Sequence, residues 1–288
     1  MTMKKIVVKG LAAPMRLDKY LRHRFPAWGR KAVGQLIAGK AVLVNGRSVY
    51  LSSWQVKNGD RLDLKRIPEA KPVPFTKFED GWLIEKTADL IAVNKPAGLL
   101  SQPTQWQKGT SLLDLVQNRF GSATLFHRLD RDTSGVVLFS TSQPRNQYLD
   151  AVFQQRLVVK EYMAVVKAPN QLAQKGEIRL RLGRDPKRRD RMVVVQRGGQ
   201  GALTKYEVVG EKNGRQLVKL WPVTGRTHQL RLHLAHLQAP ILGDRLYGKF
   251  RSGQRLHLHA RQILLPSLDS FTQKSFVALL PQKIFDFA

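Results

Sequence analysis

The sequence predicts an α+β protein in two unequal parts. A small helix–helix–hairpin domain covers residues 1–66 and a larger domain covers residues 81–288, joined by a proline-rich linker over residues 67–80. Three observations predict this. Apolar residues first recur at helical spacing and then flank an Asn-Gly pair. Pro68, Pro72 and Pro74 follow among lysines, where neither a helix nor a central strand continues. Beyond Gly81, short apolar or alternating runs dominate and helical stretches are few.

In the first helix Leu17, Tyr20 and Leu21 fall at i, i+3 and i+4 on one face, and Arg16, Lys19, Arg22 and Arg24 occupy much of the rest until Pro26. A second helix spans residues 29–38. Val33, Leu36 and Ile37 line its buried side, Arg30 and Lys31 stand near its start, and Gly39 ends it. Val42-Leu43-Val44-Asn45-Gly46-Arg47-Ser48-Val49 reads as a hairpin. Residues 55–64 add a turn at Asn58-Gly59 and a further strand. In the larger domain Leu90-Ile91-Ala92-Val93-Asn94 is a strand closed by Lys95-Pro96-Ala97-Gly98. Residues 127–135 form a loop in which Thr133, Ser134 and Gly135 are turn residues. The apolar run 135–140 suits a strand buried on both faces. Residues 147–155 read as a helix with Tyr148, Leu149, Val152 and Phe153 as its stripe, and residues 160–166 as a strand. Residues 184–191, with Lys187, Arg188 and Arg189, make a basic loop, and residues 203–209 alternate as a half-buried strand does. A last helix runs over residues 227–236 with Leu230, Leu234 and Leu237 as its core stripe. That leaves Arg231 about 100° away, at the border of the core.

Composition narrows the function. Lys and Arg number 49 against 21 Asp and Glu, a net charge of +28. Such self-repulsion serves a polyanion. The cations are spread along the whole chain and no basic amphipathic helix stands out, which favours nucleic acid over a membrane surface. Cysteine is absent, which excludes disulfides, thiolate catalysis and cysteine-bound zinc. The first residues carry lysines but no sustained apolar core, and no stretch is long enough to span a bilayer, so a cytoplasmic protein is expected. His228, His233 and His236 lack the spacing of a helical His-x-x-x-His pair with a nearby Glu, so no metal is expected.

His127-Arg128-Leu129-Asp130-Arg131-Asp132-Thr133-Ser134-Gly135 concentrates an acid, a base and arginines on one loop. With Val93-Asn94-Lys95-Pro96-Ala97-Gly98-Leu99, Lys160-Glu161-Tyr162, Gly225-Arg226-Thr227-His228-Gln229-Leu230-Arg231-Leu232-His233 and Pro240-Ile241-Leu242-Gly243-Asp244-Arg245-Leu246-Tyr247-Gly248, it forms an ordered set. The set resembles the RluA-type pseudouridine synthases. The first domain, through Arg16-Leu17-Asp18-Lys19-Tyr20-Leu21 and Val44-Asn45-Gly46-Arg47, resembles the S4 RNA-binding module. The resemblance implies a catalytic domain on a mixed, mostly antiparallel sheet flanked by helices around a central basic cleft. It implies isomerisation of uridine in RNA: the N1–C1′ bond breaks, the uracil turns, and a C5–C1′ bond forms. No cofactor is required.

The resemblance implies three catalytic residues. Asp130 matches the essential aspartate, with attack on sugar or base and removal of the C2′ proton both open. Arg231 matches the arginine paired with it, and a two-pronged guanidinium contact would hold that carboxylate in its charged form. Tyr162 matches a tyrosine whose ring stacks on an everted uracil and whose hydroxyl helps remove the C5 proton. Taken alone, Asp130 would serve as a turn cap, Arg231 as a surface cation and Tyr162 as core. Arg128 stands two residues from Asp130, so an extended loop points both one way. It would hold either the space vacated by the flipped nucleotide or a neighbouring phosphate. Arg22, Arg24, Arg30, Lys31, Lys40 and Arg47 in the first domain and Lys187, Arg188 and Arg189 in the second are expected to meet RNA phosphates.

Two positions depart from the family pattern: Gln102 precedes Pro103 where a histidine is usual, and Arg131-Asp132 add local charge. The expected substrate is structured RNA, 23S ribosomal RNA first and transfer RNA next, bound by a monomer. The rival from another class is a noncatalytic RNA-binding or ribosome-assembly factor. A hydrolase using Asp130 and His127 is the third reading, but Ser134 lacks the Gly-x-Ser-x-Gly elbow.

Overall fold

The computed structural model describes residues 4–25, 28, 30–65, 75–104, 110–167, 172–188, 190–248, 254–266 and 273–282. The chain divides into two units, Met1–Val73 and Pro74–Ala288.

The first unit contains β1 (Lys4–Val7), β2 (Met15–Arg16), α1 (Leu17–Arg24), α2 (Arg30–Ala38), β3 (Val42–Val44), β4 (Arg47–Val49), β5 (Gln55–Val56) and β6 (Arg61–Leu64). Asn45 and Gly46 take φ of 50° and 80°, the pair of left-handed residues that matches a hairpin turn to strand twist. The Asn45 side chain then accepts from Arg61 N–H and donates to Asp60, tying the hairpin to β6. The helical stripes Leu17, Tyr20, Leu21 and Val33, Leu36, Ile37 close over Val42, Val44, Leu62 and Leu64. Two strands go beyond the sequence reading: β1 pairs antiparallel with β6, and β2 with β5.

The second unit holds β7 (Leu83–Lys86), β8 (Leu90–Lys95), α3 (Leu112–Phe120), β9 (Thr124–Leu125), β10 (Ser134–Ser140), α4 (Gln143–Gln154), β11 (Val159–Val166), β12 (Lys175–Arg184), β13 (Met192–Val194), β14 (Gln200–Lys212), β15 (Arg215–Pro222), α5 (Gln229–His236), β16 (Leu258–Pro266) and β17 (Gln273–Val277). Among the described residues these strands form one sheet in the order β13-β12-β14-β15-β11-β16-β10-β8-β7, with β17 on β16 and β9 on β10. Its described pairs are antiparallel except β10 with β16. This is the mixed, mostly antiparallel sheet that the resemblance implied. β10 is buried along its whole length. Val137 and Phe139 pack with Leu112, Leu115 and Val116 of α3, while Val136 and Leu138 pack with Leu149 and Val152 of α4. A strand sandwiched between two helices reads as a continuous apolar run for this reason.

Four sequence expectations change. Ser134 and Gly135 are not turn residues but open β10, paired in parallel with His259 and Ala260. Gly135 sits at φ 120°, and a β-carbon there would lie 2.1 Å from the Ala260 carbonyl oxygen. Glycine is needed for strand approach and not for a turn. α4 starts at Gln143, four residues earlier than read, because the Ser142 hydroxyl accepts from Arg145 N–H as an N-cap and Pro144 suits a first turn. α5 starts at Gln229, because His228 is left-handed at φ 55°. Residues 75–80, read as linker, belong to the larger core: Phe78 is buried and packs edge-on to Trp82 and Phe120. The rest of that linker reading, residues 67–74, lies outside the described residues, as do Pro26 and Gly29.

Candidate active site

The loop between β9 and β10 carries Asp130, and the segment after β8 pins it from below. Lys95 is fully buried, and its ammonium donates to the carbonyls of Leu99 (2.7 Å), Pro96 (3.0 Å) and Arg131 (3.1 Å). Gly98 N–H donates to the same Arg131 carbonyl at 2.8 Å. The Ser101 hydroxyl both donates to Leu129 C=O (2.9 Å) and accepts from Leu129 N–H (3.0 Å). Burial pushes the Lys95 amine down to about 7, against the pull of Asp130 and Asp132. Upstream, His127 Nε2 accepts from Leu138 N–H at 3.0 Å. Burial, with the Lys160 charge behind it, lowers that imidazole to about 3. It is therefore neutral, with its acceptor nitrogen occupied. That removes His127 as the base of a hydrolase. Ser134 is equally committed, at 2.8 Å from His259 Nδ1 and accepting from Arg255 at 2.6 Å beneath the sheet surface.

Asp130 opens onto a cavity of about 470 Å³, a size typical of sites that take a small molecule (~300–1,000 Å³). Arg128, Arg156, Lys160, Arg226 and Arg231 line it with Tyr162 and His228, and Asp130 is the single acid among the described lining residues. This is the basic cleft. Arg231 Nη1 donates to Asp130 Oδ2 at 3.2 Å, bridging 101 residues of sequence. Burial together with the Asp130 charge raises the Tyr162 phenol far above its ordinary value, so it stays protonated. Arg128 reaches Thr227 Oγ1 at 3.4 Å along the rim, on the same cavity as Asp130, as their spacing predicted.

Arg231 corrects two expectations. It is only 5% exposed and not at a border, because α5 is buried on all sides through Leu234 while Leu237 is 36% exposed. The two-pronged contact also goes elsewhere. Arg231 Nε and Nη2 each lie 2.8 Å from the Asp244 carboxylate, leaving Nη1 alone for Asp130. Burial disfavours the guanidinium charge, but the hydrogen bonds and attraction of Asp244, with Asp130 beyond, raise its pKa above the ordinary value. Asp244 is held in turn by Leu246 N–H (2.8 Å) and Tyr247 N–H (3.1 Å). Burial works against its charge too, yet Arg231 and these two amides keep its carboxyl below the usual range. Gly243, at φ 74°, lets the chain pass the Arg255 carbonyl, which a β-carbon would meet at 1.9 Å.

A second wall comes from residues to which sequence reasoning gave no catalytic role. His228 Nε2 lies 3.9 Å from Asp130 Oδ2, and its Nδ1 lies 3.0 Å from the Tyr247 hydroxyl. Tyr247 packs its ring 5.4 Å from the Arg231 guanidinium. Asp244 and Tyr247 stand in one of the sequence segments read as part of the ordered set, and their grouping beside a glycine was the available signal. Lys95 also stood in a segment of that set, but nothing marked it as buried, because a lysine at a strand end usually reaches solvent.

The predicted phosphate contacts are placed as follows. Arg30, Lys40 and Arg47 are exposed on the first unit, Arg22 donates to the Asp18 carbonyl, and Arg24 stacks on Phe25. Lys187 and Arg188 stand at the tip of the β12–β13 hairpin, where Arg188 pairs with Asp190 at 3.0 Å. The acids of that tip offset part of its charge. The Lys31 side chain and Arg189 lie outside the described residues. No described helix is long and apolar enough to cross a membrane.

A family model for RNA pseudouridylate synthase matches residues 89–236, and one for the S4 domain matches residues 15–62. The ribosomal large subunit pseudouridine synthase C of Rickettsia felis is 33% identical over 273 residues, covering 87% of this chain and 88% of its own. The dual-specificity RNA pseudouridine synthase RluA of Pasteurella multocida is 40% identical over 178 residues, covering 60% and 81%. The structure of human RNA pseudouridylate synthase domain containing 4 superposes with a TM-score of 0.56 at 27% identity, over 70% of this chain and 89% of that one.

Proposed function

Because this chain belongs to the RNA pseudouridylate synthase family, an isomerase family, we propose that it converts uridine to pseudouridine in ribosomal RNA of the large subunit, the 23S molecule, with Asp130, Arg231 and Tyr162 as its catalytic residues. The observation that carries the site assignment is the Asp130–Arg231 contact on a cavity whose other charged lining residues, among those described, are cations. Those cations bring a polyanion to the carboxylate, and the Arg231 charge is fixed from behind by Asp244. The carboxylate then reacts at the sugar or the base of an everted uridine. Extrusion of the nucleotide costs a few kcal/mol. Stacking on Tyr162 returns roughly 1–3 kcal/mol of that. A protonated phenol is a poor starting base, so the elevated pKa of Tyr162 favours the stacking role over direct removal of the C5 proton. Arg128 on the rim occupies the gap or holds the adjoining phosphate. The large-subunit target rests on relatives named for that activity and on the S4 module, which suits structured RNA. The protein acts as a cytoplasmic monomer.

The test is Asp130→Asn with RNA tritiated at uracil C5. Wild type releases tritium and leaves the RNA at unchanged mass, and the variant releases none. Release by the variant removes Asp130 from the chemistry. Absence of release by wild type from both ribosomal and transfer RNA favours the noncatalytic binder, and free uracil or cleaved RNA favours a hydrolase.

A further inference from the structure

We propose that Arg156 is a phosphate contact for the RNA strand where it leaves the active-site cavity, and that the strand continues over a second basic hollow beside it. The proposal rests on the reading that the substrate is RNA. α4 ends at Gln154 with Gln155 as its C-cap, the Arg156 N–H donates to Phe153 C=O at 3.2 Å, and the Leu157 N–H donates to Val152 C=O at 2.9 Å. These two bonds are a Schellman closure, and the residue at its left-handed position is usually glycine. Here that position is Arg156, at φ 58°. A β-carbon in the left-handed region is strained, and strain of this kind is a reason to look for function.

The side chain stands at a junction. Arg156 lines the active-site cavity, and with Thr224 and Arg226 it also lines a shallower hollow of about 510 Å³ over β12 and β14. Arg179 and Arg181 are the further cations of that hollow, and no acid is among its described lining residues. The other three arginines are already engaged: Arg179 with Glu177, Arg181 with the carbonyls of Gly198 and Gly199, and Arg226 with the Gly201 carbonyl. Arg156 is exposed and has no side-chain hydrogen bond or ion pair among the described residues. A free guanidinium between two acid-poor hollows, one of them holding the reacting residues, is placed to take a phosphate of a passing strand.

Arg156→Gly separates this from a structural role, because glycine is the residue the closure itself prefers. The probe is a 23S ribosomal RNA transcript carrying uridine tritiated at C5. The variant is expected to melt no lower than wild type. It should bind the transcript roughly three- to tenfold more weakly, with its log affinity against log salt flattened by about 0.7–0.9, one phosphate contact. kcat/KM should fall chiefly through KM, and Arg156→Lys should restore most of the salt slope. An unchanged slope and affinity in Arg156→Gly overturns the proposal. So does a melting temperature lowered by several degrees with Arg156→Lys failing to restore binding, since Arg156 is then a brace. Wild type that releases no tritium refutes the enzymatic reading alone, because the salt slope still reads Arg156.

Discussion

Asp244→Asn tests how the site holds its charge. The Asp244 side chain is fully buried and accepts four hydrogen bonds, two from Arg231 and two from backbone amides. Asparagine keeps the shape but replaces one oxygen with an amino group. With Oδ1 left to its three donors, the new amino group faces Arg231 Nε–H at the 2.8 Å now spanned by a hydrogen bond. Donor then meets donor, and a buried guanidinium keeps only Asp130 as its counter-ion. Breaking one partner of a buried pair costs about 3–5 kcal/mol. At roughly 2–4 °C per kcal/mol for a unit of this size, the melting temperature should drop by about 6–20 °C. Arg231 is also no longer fixed, so tritium release measured below the variant's melting point should fall about tenfold or more, some 1.4 kcal/mol. The double variant Arg231→Met, Asp244→Leu removes both charges. It should regain much of the stability, because an apolar pair of similar volume replaces a buried ion pair at little cost, but none of the activity. An Asp244→Asn protein that melts within about 2 °C of wild type and turns over at the wild-type rate would refute this account of the site.

Stability should also fall in mild acid. Burial lowers the imidazoles of His127, His233 and His259 to about 3, 4 and 4, below the ordinary 6.5. Each folded pKa is depressed, so the unfolded chain binds more protons between pH 6.5 and about 4. The contribution is complete above pH 6.5 and is lost as pH falls toward 4, at up to ~1.4 kcal/mol per unit and group. Lys95, lowered to about 7, contributes only at higher pH. Melting curves from pH 7 to 4.5 should show this decline, and His233→Leu should flatten it, since both ring nitrogens are buried with no hydrogen-bond partner among the described residues. A pH-independent melting temperature contradicts it. At the base-binding wall, Tyr162→Phe should keep RNA affinity, whereas Tyr162→Ala should weaken it by roughly 1–3 kcal/mol in a binding titration. Equal weakening in both variants removes the stacking role.

Much of this protein was legible from local pattern. The hairpin at Asn45-Gly46, the stripes of α1 and α2 and the alternation of β14 follow from the φ/ψ demands of two residues or from a repeat of 2 or 3.6, and β10 from an unbroken apolar run. The start of α4 was missed although Ser142 followed by Pro144 is a local start signal. The capping box of Ser111 with Asp114 likewise marked α3. Other differences were not local. Ser134 and Gly135 look like a turn until Ala260 is alongside them, and Arg231 looks peripheral until α5 is enclosed on every side.

Residue order and composition were enough for the two-part α+β organisation, the polyanionic partner, and the loop that carries Asp130. Those depend on charge totals and on neighbours a few residues apart. It took the folded arrangement to give the Arg231 fork to Asp244 and a single arm to Asp130, to bury Lys95 beneath the loop, and to stand a strained Arg156 between two hollows. Both acids are chemically able to take the guanidinium fork. Asp244 lies 13 residues from Arg231 and Asp130 lies 101 away, and the choice between them is made by distance and angle in the folded chain, which no local pattern encodes.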